Sequence, residues 1–178
     1  MTPVVGDARP AIILTDTSVL INFLRIDRTD LIAGHSHDFL ATDHVAAEIS
    51  DRYPDQQQRF SAALDAGAIL ETRVTKPEEL QLFGSLFSTG RLGAGECSAI
   101  ALAVHRGYIL AIDDRVATRH ARGADATLRI LATQDLMVSM IREGLLEIED
   151  ADRIKREWAT RHRFRLRFHS FQSLLRQP

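Results

Sequence analysis

The residues in this chain with the clearest chemical potential are acids that follow apolar runs. Ala11–Leu14 is a short apolar run ending in Thr15-Asp16, and Tyr108–Ile112 is another ending in Asp113-Asp114. Ligands of open α/β sheets bind outside the carboxyl ends of the strands. Acids delivered there from two strands can face one crevice. Glu48 lies on a helix that directly follows a third expected strand. Glu96 lies in the first turn of the helix preceding the Asp113-Asp114 strand. Each acid also has a structural use. An aspartate before a helix caps its free amides, a glutamate in a first turn complements the helix dipole, and Glu48 alone is an ordinary solvated helix residue.

The elements that must position these acids follow from periodicity and punctuation. Ala11–Leu14 reads as a buried strand followed by a helix over Ser18–Ile26. Asp38–Asp43 reads as a strand, followed by a helix over Val45–Tyr53 that stops before Pro54. A helix over Gln56–Ala66 ends at Gly67, and Ala68–Val74 is a further strand. Pro77 opens a helix to Ser88, as proline suits a first helical position. Gly90, Gly93 and Gly95 mark a flexible turn. From Ala94 a helix places Cys97, Ile100, Ala101 and Val104 on one face and closes at Gly107. A helix to Arg122, a last strand over Thr127–Ala132 and a helix over Gln134–Arg142 complete the pattern. Strands alternating with helices predict an α/β fold with a mostly parallel central sheet and helices on both faces.

Composition sets the outer bounds. At 178 residues, 45% hydrophobic and 26% charged, the chain suits one globular domain with its own core. No run approaches the ~18 apolar residues of a membrane span, and Met1–Pro10 lacks a secretion-signal pattern. The single cysteine, Cys97, excludes an internal disulfide and a cysteine-built zinc cage. A cytoplasmic protein is expected, with no membrane partner. The expected organisation is a flexible arm over 1–10, a catalytic domain over 11–148, and a basic helix and extended tail over 149–178 packed on it. Arg153–Arg176 carries +7 while the remainder carries −9, which points to an anionic partner or an acidic protein surface. In the tail, Phe164, Leu166 and Phe168 alternate with Arg163, Arg165 and Arg167, the period of a half-buried strand or extended arm.

Four motifs in order carry a family resemblance: "ILTDTSVLINFL" with Asp16 and Ser18, "VAAEI" with Glu48, "LGAGECSAIALAVHRG" with Glu96, and "YILAIDDRVATRHA" with Asp113 and Asp114. Together they resemble the PIN-domain ribonucleases over Ile12–Gly144, in a form close to the VapC-type toxin nucleases of prokaryotic toxin–antitoxin pairs. The resemblance implies a PIN-like three-layer sandwich and an endoribonuclease using Mg²⁺ or Mn²⁺. Asp16, Glu48, Glu96 and Asp114 would be catalytic, and Asp16, Glu96, Asp114 and Asp113 would be the metal-facing acids. Hard carboxylate oxygens select such ions, and packed acids cannot all stay ionised without a cation. By register Asp114, followed by Arg115, is the ligand, while Asp113 caps a helix or approaches the metal as well. Ser18 would orient Asp16. The same resemblance implies an RNA substrate, a small antitoxin partner and a homodimer.

Other residues carry weaker signals. Arg115, Arg119 and Arg122 share one helix face, either as phosphate contacts or as a solvated basic surface. His35 and His37 read as a polar loop, Cys97 as a core residue and Trp158 as a packing anchor. A phosphatase with an aspartyl nucleophile would carry a second aspartate where Ser18 stands. A catalytically inactive PIN-like scaffold that binds RNA or protein is the alternative to an enzyme.

Overall fold

The computed structural model describes residues 11–175; the expected arm over 1–10 lies outside the described residues, as does the end of the tail. From the amino end the elements are β1 (Ile12–Thr15), α1 (Thr17–Arg25), α2 (Thr29–Ala33), β2 (Asp38–Thr42), α3 (Asp43–Arg52) and α4 (Pro54–Asp65). There follow β3 (Leu70–Thr72), α5 (Pro77–Ser88), α6 (Ala94–Arg106), β4 (Ile109–Ala111) and α7 (Arg115–Ala124). The chain ends with β5 (Ile130–Leu131), α8 (Thr133–Arg142), α9 (Ile148–Arg161) and α10 (Phe171–Leu175).

The five strands form one sheet in the order β3-β2-β1-β4-β5, and every pairing is parallel. The chain moves outward from β1 to β2 and β3, then crosses back to β4 and β5. The reversal lies between β1 and β4, where open α/β sheets form their binding crevice.

Alternation along the strands divides the core in two. Ile13, Phe39, Ala41, Ile109 and Ala111 pack with α1, α8 and α9 on one face. Leu14, Leu40, Leu110 and Ile112 pack with α6 and α7 on the other. Side chains of successive strand residues point to opposite faces, so these strands, covered on both, are apolar throughout. The result is the expected three-layer arrangement.

Several local expectations are refined. The last strand is two residues long rather than six, and α2 and α10, of five residues each, had no periodic signal. Residues 163–168 form no sheet ladder. Their alternation is real nonetheless: Phe164, Leu166 and Phe168 are half-buried against the core while Arg163, Arg165 and Arg167 are exposed. An arm laid along one apolar surface needs the same period of two as a strand. Cys97 and Trp158 are fully buried, as expected of core residues.

Candidate active site

The turn from β1 into α1 sets Asp16. Its backbone N–H donates to Ala111 O on β4 at 3.0 Å, which fixes the end of one strand against the other. Its carboxylate accepts from Val19 N at 3.0 Å, capping α1, and from Ser18 Oγ at 2.8 Å. The cap and the site residue are one group, and Ser18 holds its orientation.

Glu48 reaches the same place from α3. Oε2 accepts from Thr17 Oγ1 at 2.7 Å and Oε1 accepts from Gly95 N at 2.9 Å. The glycine run was expected to supply flexibility. Among these three glycines only Gly90 has a left-handed backbone, whereas Gly93 caps α6 and Gly95 sits within its first turn. A Cβ on Gly95 would stand 2.8 Å from Glu48 Oε2, and one on Gly93 would stand 3.0 Å from Oε1. Both positions need glycine because a carboxylate lies against the backbone. Glu96 folds back to accept from Gly93 N at 2.9 Å.

The Asp113-Asp114 pair divides its work. Asp114 caps α7 by accepting from Ala117 N at 2.8 Å. Asp113 turns across the sheet to α8, accepting from Thr133 N at 2.8 Å, Thr133 Oγ1 at 2.6 Å and Asn22 Nδ2 at 3.2 Å. All five acids therefore accept a backbone amide from the start of a helix, where the positive end of the helix dipole favours negative charge. Asn22, Thr133 and Thr17 were not singled out from sequence. Asn22 alone left a trace there, as a polar residue within the apolar run of α1.

The amide bonds do not neutralise the cluster. Burial, with Asp113 and Glu96 nearby, pushes the Asp16 carboxyl up to about 7 despite the bonds from Val19 and Ser18. Burial, then Asp114 and Glu48, raises Glu96 above the usual carboxylate range. Burial raises Asp113 as well. The electrostatics link all five acids. As the side chains stand, no three His, Cys, Asp or Glu groups among the described residues converge closely enough to chelate a metal ion. The donor set nevertheless suits a hard cation: every donor is a carboxylate oxygen, and Glu96 Oε1 and Asp114 Oδ2 accept no protein hydrogen bond among the described residues.

Two cavities meet at Ser18 and Tyr53. The smaller, of about 190 Å³, holds Asp16, Glu48 and Glu96 with Arg52. The larger, of about 350 Å³, holds Asp113 and Asp114 with Arg25, His162 and Arg163. The latter three went unnoticed as site residues because they arrive from distant parts of the chain. Arg115 and Arg119 are exposed on α7, but Arg122 spends Nη1 on the Ala126 and Leu128 carbonyls. His35 and His37 lie in the loop before β2. The His35 side chain is buried and contacts Ser139 Oγ of α8 at 3.2 Å.

A family model described as a PIN domain matches residues 12–177. The chain belongs to the PIN-domain family, whose members are generally nucleases, and the match extends through the C-terminal helices as well as the sheet. The crystal structure of PAE2754 from Pyrobaculum aerophilum has the same fold, with a TM-score of 0.51 and 15% identity over 80% of this chain and 99% of that one. No curated protein sequence matches significantly. No helix among the described residues is long and apolar enough to cross a membrane.

Proposed function

We propose that this PIN domain is a metal-dependent endoribonuclease that hydrolyses RNA phosphodiester bonds at the crevice between β1 and β4. The observation that carries this is the acid cluster around a buried Asp16 whose carboxyl is pushed up to about 7. Such a group binds a proton or a cation at neutral pH. Asp16, Glu96 and Asp114 would hold Mg²⁺ or Mn²⁺, with Asp113 beside them. When bound, the ion would acidify a water and offset charge on the phosphate. Ser18 keeps Asp16 aimed, and Glu48 fixes the start of α6 and so the position of Glu96. Exposed Arg115 and Arg119 are candidate phosphate contacts, with Arg122 in a bracing role.

Cleavage of RNA by the full chain with Mn²⁺ tests the reading against Asp16→Asn. Loss in the variant is expected; equal cleavage by both would sink the site. The alternative, an inactive scaffold, draws on the engagement of every acid by a backbone amide, and metal binding without cleavage would favour it.

The resemblance of its motifs to VapC-type nucleases supports a toxin role in a toxin–antitoxin pair, with a small antitoxin covering the acidic crevice. Co-purification with the product of the adjacent gene, and suppression of cleavage by it, is the expected result. A homodimer and a cytoplasmic location complete the proposal, the first tested by light scattering and the second by cell fractionation.

A further inference from the structure

The end of α9 departs from a pattern that most left-handed turns among the described residues follow. Four other helix ends turn through a left-handed residue, and each uses glycine: Gly67, Gly90, Gly107 and Gly144. Glycine is favoured there because it has no Cβ to clash. Asp27, with φ 55°, follows α1, and a short polar side chain tolerates this conformation. At the end of α9 the left-handed residue is Arg163, with φ 56°. The turn is closed by His162 N and Phe164 N, both donating to Trp158 O at 3.1 Å. A long arginine gains nothing from this backbone, so its side chain must supply the reason. Strained non-glycine residues of this kind cluster at functional sites.

Arg163 lines the cavity that contains Asp113 and Asp114, together with Arg25 and His162. Neither Arg163 nor Arg25 forms an ion pair with a carboxylate among the described residues, although Arg28, Arg106 and Arg153 all do. Arg25 lies 5.5 Å over the Tyr53 ring, which also lines this cavity. An acidic crevice repels a polyanion, so a nucleic acid entering it needs cations at its rim. A guanidinium fork matches two phosphate oxygens at once.

We propose that Arg163 and Arg25 form a phosphate-binding subsite, built by the C-terminal segment against α1, that holds the RNA backbone beside Asp113 and Asp114. This rests on the ribonuclease reading. The left-handed backbone at Arg163 gives an unusual test, because Arg163→Gly should improve the fold while impairing binding. The probe is a fluorescein-labelled single-stranded oligoribonucleotide of mixed sequence. Its anisotropy is titrated with full-length protein carrying Asp16→Asn to prevent cleavage, at several salt concentrations. Adding Arg163→Gly should weaken binding about tenfold and reduce the log–log salt slope by ~0.7, the value for one phosphate contact on a single strand. It should also raise the melting temperature by a few degrees. Arg156→Ala, which removes an exposed charge from the same helix, should leave affinity within about twofold.

Equal affinity and slope for the Arg163→Gly protein would overturn the proposal, as would an equal loss in Arg156→Ala or no binding at all. Cleavage by the unmutated chain with Mn²⁺ is read separately. Cleavage retained with Arg163 immaterial would overturn only the subsite. Binding through Arg163 without cleavage would overturn the nuclease and leave the subsite standing.

Discussion

The indole Nε1–H of Trp158 donates to the carbonyl of Asn22 at 2.8 Å, 136 residues away in sequence. Asn22 lies in the last turn of α1, where helix carbonyls lack in-helix partners. Its side chain donates to Asp113 Oδ2 and Thr133 Oγ1, both at 3.2 Å. One residue thus joins the C-terminal helix to the acid cluster. The neighbouring carbonyls of Leu24 and Arg25 are taken by Arg59. The Trp158 ring also packs edge-on against Phe23 and Phe164.

It follows that α9 and α10 contribute side chains to the core. Ile154, Trp158 and Phe171 are buried in the same cluster as Ile13 and Val19. Truncating a buried tryptophan costs roughly 3–5 kcal/mol, a large share of the ~5–15 kcal/mol that stabilises a domain. A chain ending at residue 148 should be insoluble or unfolded by circular dichroism. Trp158→Phe keeps an aromatic ring but loses the bond to Asn22 and part of the buried indole, so it should cost at least about 1–2 kcal/mol and lower RNA cleavage while the chain stays folded. A soluble, cooperatively melting 1–148 fragment would show that the C-terminal helices are dispensable.

A second prediction concerns Gly95. Its alanine variant would place Cβ 2.8 Å from Glu48 Oε2 and 3.0 Å from Cδ. The carboxylate must leave the Thr17 hydroxyl and the Gly95 amide, so cleavage should fall at least tenfold and stability by about 1 kcal/mol. In a Glu48→Ala background the clash is gone. There Gly95→Ala should become neutral or stabilising, because alanine is favoured over glycine within a helix by about 1 kcal/mol. Thermal melts of the four proteins measure this reversal. A penalty of equal size in both backgrounds would show that Glu48 is not what the glycine accommodates.

How much of this was legible in the sequence depends on distance along the chain. Asp16 and Asp114 were readable because strand, acid and helix follow one another directly. The sheet was readable because strands buried on both faces are apolar runs. How Asp113 and Asp114 divide their hydrogen bonds was not, since it turns on Thr133, which follows β5, and on Asn22 in α1. Arg163 was visible only as part of an alternating arm. Its side chain acquires a place beside Asp113 and Asp114 only when α9 docks through Trp158. The glycine run was legible as a turn, which holds at Gly90, but the need for glycine at Gly93 and Gly95 was not, because a sequence does not reveal which distant carboxylate approaches a backbone.

A third prediction lies away from the site. Glu79 in α5 has a fully buried side chain and pairs with Arg106 of α6, Oε1 to Nε at 2.7 Å, while accepting from Thr75 N and Lys76 N. The Arg106 guanidinium and these amides hold its carboxyl down to about 2, below the ordinary 4.5. A depressed folded value means the stabilisation is complete above about 4.5 and is lost as pH falls toward 2. Glu79→Gln should therefore cost about 2 kcal/mol at neutral pH. The difference from wild type should shrink in melts taken from pH 5 down to pH 2.5. A difference independent of pH would mean that packing rather than charge holds α5 to α6.

The last prediction separates stability from activity at Asp16. Its carboxyl titrates at about 7 in the folded chain against an ordinary 3.8, chiefly because it is buried. The folded state therefore holds more protons than the unfolded state between these values, and stability falls as pH rises through that window. The metal-free protein should lose melting temperature from pH 4 to pH 7 on this account. Asn at position 16 caps a helix as well as Asp does and carries no charge to desolvate. Asp16→Asn should thus melt about 3–6 °C higher than wild type at pH 8 in EDTA, equivalent to ~1–2 kcal/mol for a chain of this size. The advantage should vanish near pH 4. Mn²⁺ should raise the wild-type melting temperature at pH 8 and leave the variant nearly unmoved, while RNA cleavage by the variant is lost. A variant less stable than wild type at pH 8 without metal would mean that the capping and Ser18 hydrogen bonds outweigh the cost of burying the charge.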